Sequence, residues 1–197
     1  MLYERNREFI EQDLKVGFQI TLDDKVNRSL RMPLQQIAPN QYFAEPTREC
    51  FDMFVEGYFY GCITLVQAVA EGIVRFLVTK NPAVQVSDMT DYGQCVNALQ
   101  RDRSNPVISD KAFAAFGSIR GPRKGKEDRN IFHHLDESIE LDKKKLEARA
   151  EQCIKSLCEI ENEIFAYTSH QGKMVFKNPQ YWPPGDEQGD VRVMLRL

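Results

Sequence analysis

The sequence predicts an all-α protein: an up-and-down helical bundle with an N-terminal helical extension and a small β appendage. Three observations carry that expectation. Apolar residues recur at helical spacing over two long segments, residues 47–79 and 142–167. Strand-like alternation is confined to short stretches, residues 18–22 and 191–197. A chain of 197 residues, 42% of them hydrophobic, is long enough for one domain with a substantial core.

The elements follow in order. Residues 2–15 read as a weakly amphipathic helix with Phe9, Ile10 and Leu14 on its apolar side. Residues 18–22 alternate with period two and read as a short strand. Thr21, followed three positions later by Asp24, is close to a helix-start signature, and that helix ends near Met32 because Pro33 removes a donor. The strongest helix is expected from Pro46-Thr47 to about Thr79, stopped by Asn81-Pro82. One line along it is polar: Glu56, Tyr60, Thr64, Gln67, Glu71, Arg75 and Thr79. Two readings of that line compete. It is a narrow solvated face with Glu71 and Arg75 as an i,i+4 pair, or it sets Glu71 or Tyr60 beside a functional site.

Residues 87–102 are expected as a third helix, with Met89, Tyr92, Val96 and Leu99 on one face, and residues 109–119 as a short fourth. Arg120-Gly121-Pro122-Arg123-Lys124-Gly125-Lys126 then breaks the pattern as a basic loop. The last helix, residues 142–167, sets Leu146, Ala150, Cys153, Leu157, Ile160, Ile164 and Tyr167 in a heptad-like seam, which asks for a long partner helix. Pro179, Pro183-Pro184 and Gly189 exclude a helix from the tail. Residues 191–197 alternate like a strand and are expected to pair with residues 174–176 or 18–22. This divides the chain into an N-terminal extension packing on the bundle (1–46), the bundle (47–168) and an extended tail (169–197).

Net charge is −3, which argues against a general polyanion binder and leaves any nucleic-acid contact to a local basic patch. Five cysteines with no CxxC spacing point to reduced thiols and a cytoplasmic setting, with Cys50, Cys62, Cys153 and Cys158 as small core residues. The first eight residues carry charges where a signal peptide needs an apolar run. The most apolar stretch, residues 62–78, is interrupted by Gln67, Glu71 and Arg75, so it is expected to be a buried helix with no membrane partner.

Two of the three histidines stand in one run, Arg129-Asn130-Ile131-Phe132-His133-His134. Arginine grips phosphate through a planar fork of N–H donors and stays charged at any working pH. Histidine takes or gives a proton near neutrality. Together they supply the minimum for cutting RNA without a metal. The run resembles the signature of the HEPN superfamily, in which an Arg and a polar residue precede a His by four to six positions, ahead of a long last helix. The resemblance spans roughly residues 47–167 and rests on motif plus architecture.

The resemblance implies a metal-independent endoribonuclease that uses the RNA 2′-oxygen as nucleophile. It also implies a homodimer whose two motifs share one cleft, with no cofactor. Arg129, Asn130, His134 and His133 would be the catalytic set. His134 fits the family spacing, while His133, four residues after Arg129, lies nearer the same helical face. With His134 as the acid/base, His133 would lower its pKa by like-charge repulsion. Arg120, Arg123, Lys124 and Lys126 would track the RNA backbone, against the alternative of a merely solvated loop. Many relatives are toxins of toxin–antitoxin or defence systems, which would make a cognate antitoxin a partner. The rival class is a non-catalytic HEPN module that binds RNA, a nucleotide or a partner protein. A purely structural helical adaptor is the third. No metal is expected: adjacent residues in His133-His134-Leu135-Asp136-Glu137 point about 100° apart on a helix and share one ion poorly.

Overall fold

The computed structural model describes residues 2–33, 42–101, 106–121, 142–170 and 173–182. Among them the architecture is helical, with one two-stranded sheet. The order is α1 (Leu2–Arg31), α2 (Ala44–Glu56), α3 (Phe59–Lys80), α4 (Tyr92–Gln100), α5 (Asp110–Arg120) and α6 (Lys143–Ile164). A hairpin, β1 (Tyr167–His170) and β2 (Lys173–Phe176), and a 3-10 turn, Pro179–Tyr181, follow.

The N-terminal region departs from the sequence expectation. Residues 18–22 are not a strand; they lie inside a single 30-residue helix. The alternation misleads because apolar residues are scattered around α1, so the pattern fits both periods. Thr21 does not start a helix. Its Oγ1 donates back to the carbonyls of Gly17 and Phe18, 3.1 and 3.2 Å away, as a mid-helix threonine does.

The helix expected over residues 47–79 is two helices. Gly57 ends α2 in the left-handed conformation, φ 88°. Its N–H donates to the Phe54 carbonyl (3.1 Å) and the Tyr58 N–H to the Met53 carbonyl (2.8 Å), the paired bonds of a Schellman end. The chain therefore folds α2 back along α3. The third helix begins at Tyr92 rather than at residue 87. Asp88 is drawn into a local turn by the Thr90 N–H and hydroxyl, and Asp91 caps α4 by accepting from the Gln94 N–H at 3.0 Å. Met89 stays outside, exposed. Ser109 caps α5 and Asp142 caps α6 in the same way.

α3 is the axis of the bundle, packed against α2, α4, α5 and α6. By length and composition it could cross a membrane; here Ile63, Val66, Ala70, Ile73, Val74 and Leu77 are buried in the protein core. Each large apolar side chain so buried is worth about 1.5–3 kcal/mol. The α6 seam is buried at Ala150, Cys153, Leu157, Ile160 and Ile164, and it faces α5 and α2 as well as α3. Tyr167 leaves the seam to open β1, whose partner is residues 173–176 in antiparallel register, Tyr167 opposite Phe176. The strand expected over residues 191–197 lies outside the described residues, and of the two partners expected for it residues 18–22 are helical while residues 174–176 pair with β1.

The tail's first part joins the core. Tyr181 and Trp182 are each 5% exposed, and Trp182 stacks on Phe176 with ring centroids 4.0 Å apart. The Tyr181 hydroxyl meets Asn81 at the end of α3. All five cysteines are buried thiols. Burial pushes Cys50, Cys62 and Cys158 far above the ordinary thiol value, so they stay protonated and unreactive.

Candidate functional site

The segment carrying the Arg/His run stands in the sequence between the end of α5 and the start of α6. Arg129, Asn130, His133, His134, Arg123, Lys124 and Lys126 lie outside the described residues. The described geometry is that of the frame to which this segment is attached.

The departure point is held from two sides. The Ile119 carbonyl accepts from Arg149 Nη2 of α6 at 3.0 Å and from Gln67 Nε2 of α3 at 3.4 Å. Backbone carbonyls at a helix C-terminus carry partial negative charge and lack intrahelical donors, so a guanidinium there serves both needs. Gln67, expected on a solvated line, is 5% exposed, and its Oε1 finds no donor among the described residues. At the return point the Asp142 carboxylate accepts from the Lys144 N–H at 2.9 Å and the Lys145 N–H at 3.4 Å.

Arg120 lies on α4. A Cβ built on Gly93 would stand 2.3 Å from Arg120 Nη1, and Asp91 Oδ1 is on the same side. A larger residue at position 93 would push the flexible guanidinium of Arg120 out of this spot. The Gln94 N–H, with a lesser contribution from Arg120, holds the Asp91 carboxyl below its usual value. Asp88 is lowered by the Thr90 hydroxyl. Cys95 nearby is raised by burial and then by Asp91.

Glu71 ion-pairs with Arg75 one turn on, as the i,i+4 spacing expects. Both act electrostatically on Cys95, so they share the α4 N-terminal end of the bundle with Asp88, Asp91 and, through Asp91, Arg120. Tyr60 is packed against the core in the first turn of α3. Eleven residues separate it from Glu71, about 16 Å along the axis. The two do not support one compact site.

Sequence reading missed Arg149, Gln67 and Gly93. Gln67 stood in the polar line, but its burial depends on a carbonyl 52 residues away. Among the described residues no group of three or more His, Cys, Asp or Glu side chains is placed to hold a metal. The two histidines of the Arg/His run belong to the segment between α5 and α6, outside the described residues. No protein-family model, no curated protein and no solved structure matches the chain.

Proposed function

We propose that the chain is a metal-independent endoribonuclease of the HEPN type, a toxin or defence ribonuclease acting in the cytoplasm as a homodimer. The observation that supports this most is the Arg129-Asn130…His134 run, set between the end of α5 and the long α6 of a helical bundle. In this reading His134 takes the proton of a ribose 2′-hydroxyl and the 2′-oxygen attacks the adjacent phosphorus. The bond from phosphorus to the 5′-oxygen breaks, and that oxygen leaves with a proton supplied by His133 or water. A 2′,3′-cyclic phosphate remains on one product. Arg129 binds the phosphate oxygens and offsets the charge gained in the transition state. Asn130 orients the pair by hydrogen bonding. Arg123, Lys124 and Lys126, with Arg120, hold the flanking backbone, and a cognate antitoxin protein would block the cleft.

A second reading, a non-catalytic HEPN module for RNA, a nucleotide or a partner protein, draws on Arg120. Its guanidinium sits against Gly93 and beside Asp91, a placement that serves the fold.

Incubation of the protein with single-stranded RNA in EDTA tests the choice. Cleavage that spares DNA, which lacks the 2′-hydroxyl, is expected. Arg129→Ala and His134→Ala should each lose about 10²- to 10⁴-fold in rate, and His133→Ala less. Binding without cleavage, in EDTA and in magnesium alike, would replace the nuclease by the module.

A further inference from the structure

α1 is joined to the bundle mainly by charge. Its contacts lie in its C-terminal part, where Lys25, Arg28 and Arg31, at steps of three, share one side of the helix. Lys25 Nζ lies 2.7 Å from Glu56 Oε2 of α2. Arg31 pairs with Glu147 and, at 2.9 Å, with Glu151, both on α6. Arg28 donates to the Val55 carbonyl at 2.8 Å. The two guanidinium groups also lie over aromatic rings, Arg28 5.2 Å from Phe59 and Arg31 5.8 Å from Phe54. Beyond these, Leu22, Met32 and Pro33 add partly buried apolar surface. From Asn6 to Thr21 the helix is an overhang with every side chain exposed.

Arg28 is the pivot of this contact. Val55 stands in the last turn of α2, whose carbonyls lack intrahelical donors. The Phe54 and Met53 carbonyls are taken by the Gly57 and Tyr58 N–H groups, and the Val55 carbonyl is taken by Arg28. A Cβ on Gly57 would stand 3.2 Å from Arg28 Nη1, so the turn that ends α2 also forms the seat of the guanidinium. The seat fits imperfectly. Arg28 is buried, yet its Nε hydrogen has no acceptor: Glu147 Oε1 is 3.6 Å away, close enough for an ion pair and too far for a hydrogen bond. Asp24 is likewise 3.6 Å from Nη2. A buried cation with one hydrogen bond among the described residues regains little of the hydration it gave up, so docking lies near balance.

We propose that α1 is a charge-latched arm: its C-terminal part leaves the bundle as ionic strength rises and returns as it falls, with the bundle folded throughout. Three cationic side chains meet three carboxylates and a helix-end carbonyl, and screening weakens all of these attractions together. The apolar packing that joins α2, α3 and α6 does not depend on charge, and salt does not loosen it. Release leaves Glu56 and Glu147 without their cations and the end of α2 without its cap. Once undocked, a helix with no packing is marginal in water and its amides exchange. None of this depends on the nuclease reading.

Hydrogen exchange of the full chain, followed peptide by peptide, is the test. From about 0.1 M to about 1 M NaCl the Debye length falls from about 10 Å to about 3 Å. Over that range the amides of residues 24–31 should exchange on the order of ten-fold faster, the scale set by losing three pairs of modest strength. α3 and α6 should keep their protection, and dilution of the salt should restore that of α1. Arg31→Met keeps the aliphatic stem and removes the charge; the side chain is 43% exposed, so the core stays intact. This variant should exchange fast over residues 24–31 already at low salt and respond less to added salt, while Arg31→Lys should follow the wild type. Equal exchange at both salt concentrations, a salt response that Arg31→Met leaves unchanged, or protection lost from α1 and α3 together would overturn the proposal. The last outcome would make α1 part of the cooperative bundle.

Discussion

α3 and α1 are both long helices, and they are held by opposite means. α3 packs against four other helices, with eleven of its 22 residues buried. α1 has 30 residues and no buried apolar side chain among those described; Arg28 is its one buried residue. Its supports are the local Arg7–Glu11 pair and Thr21 back-bonds, and polar contacts of Lys25, Arg28 and Arg31 with the bundle at its C-terminal end. Helicity and tertiary stability are therefore separate quantities here. α3 should open only with the whole molecule, whereas the first half of α1 should open at almost no cost.

The widest separation comes from truncating a core aromatic. Phe116, fully buried, should cost about 3–5 kcal/mol as Phe116→Ala, while Phe9→Ala on the overhang should stay within about 0.5 kcal/mol. Urea titration of both variants decides; equal costs would erase the distinction. Next in size is the tail. Ending the chain after Tyr167 removes Tyr181 and Trp182 from the core, and a loss of about 3 kcal/mol or more is expected. A truncated protein with an unchanged melting point would make the tail an appendage after all.

Arg28→Ala sharpens the comparison from the other side. The guanidinium donates to the Val55 carbonyl, lies 5.2 Å from the Phe59 ring and reaches toward Glu147. Its loss should cost about 1–3 kcal/mol. Hydrogen exchange should speed up along α1 while α3 keeps its protection. The smallest effect belongs to Asp91→Ala, which removes the α4 cap, about 0.5–1 kcal/mol for an exposed and screened carboxylate. The Asp91 pKa is depressed in the folded state, so its contribution is full above the ordinary carboxylate value of 3.8 and is lost as pH falls through the lower folded value. The gap between wild type and variant should close in acid; a gap that widens there would reverse the sign.

Much of this fold was legible in the residues. The apolar spacing of α3 and α6, the caps Ser109 and Asp142 and the stop at Asn81-Pro82 are local signals, and local geometry obeys them. The break at Gly57 was harder to read, because periodicity runs through it and the glycine acts only in combination with the Met53 and Phe54 carbonyls. Long-range effects were out of reach: Gln67 is buried because Ile119 arrives from another helix, and Arg120 faces inward because Gly93 leaves space. The candidate site divides the same way. The proposed roles of Arg129 and His134 rest on residue type and spacing, whereas the Arg149 contact with the Ile119 carbonyl depends on how α5 and α6 meet.

The Schellman turn at Gly57 has a consequence in time. α2 and α3 are joined by Gly57 and Tyr58 alone, so their contacts close small loops at low entropic cost. α6 must find α2 across more than a hundred residues, as the Thr47–Glu161 bond illustrates. The α2–α3 hairpin should therefore form early in the folding transition state and the docking of α6 late. Substitutions at Phe54 and Ile63 should slow folding, and substitutions at Ile160 should mainly hasten unfolding. Stopped-flow rates showing the reverse order would place the nucleus on α6.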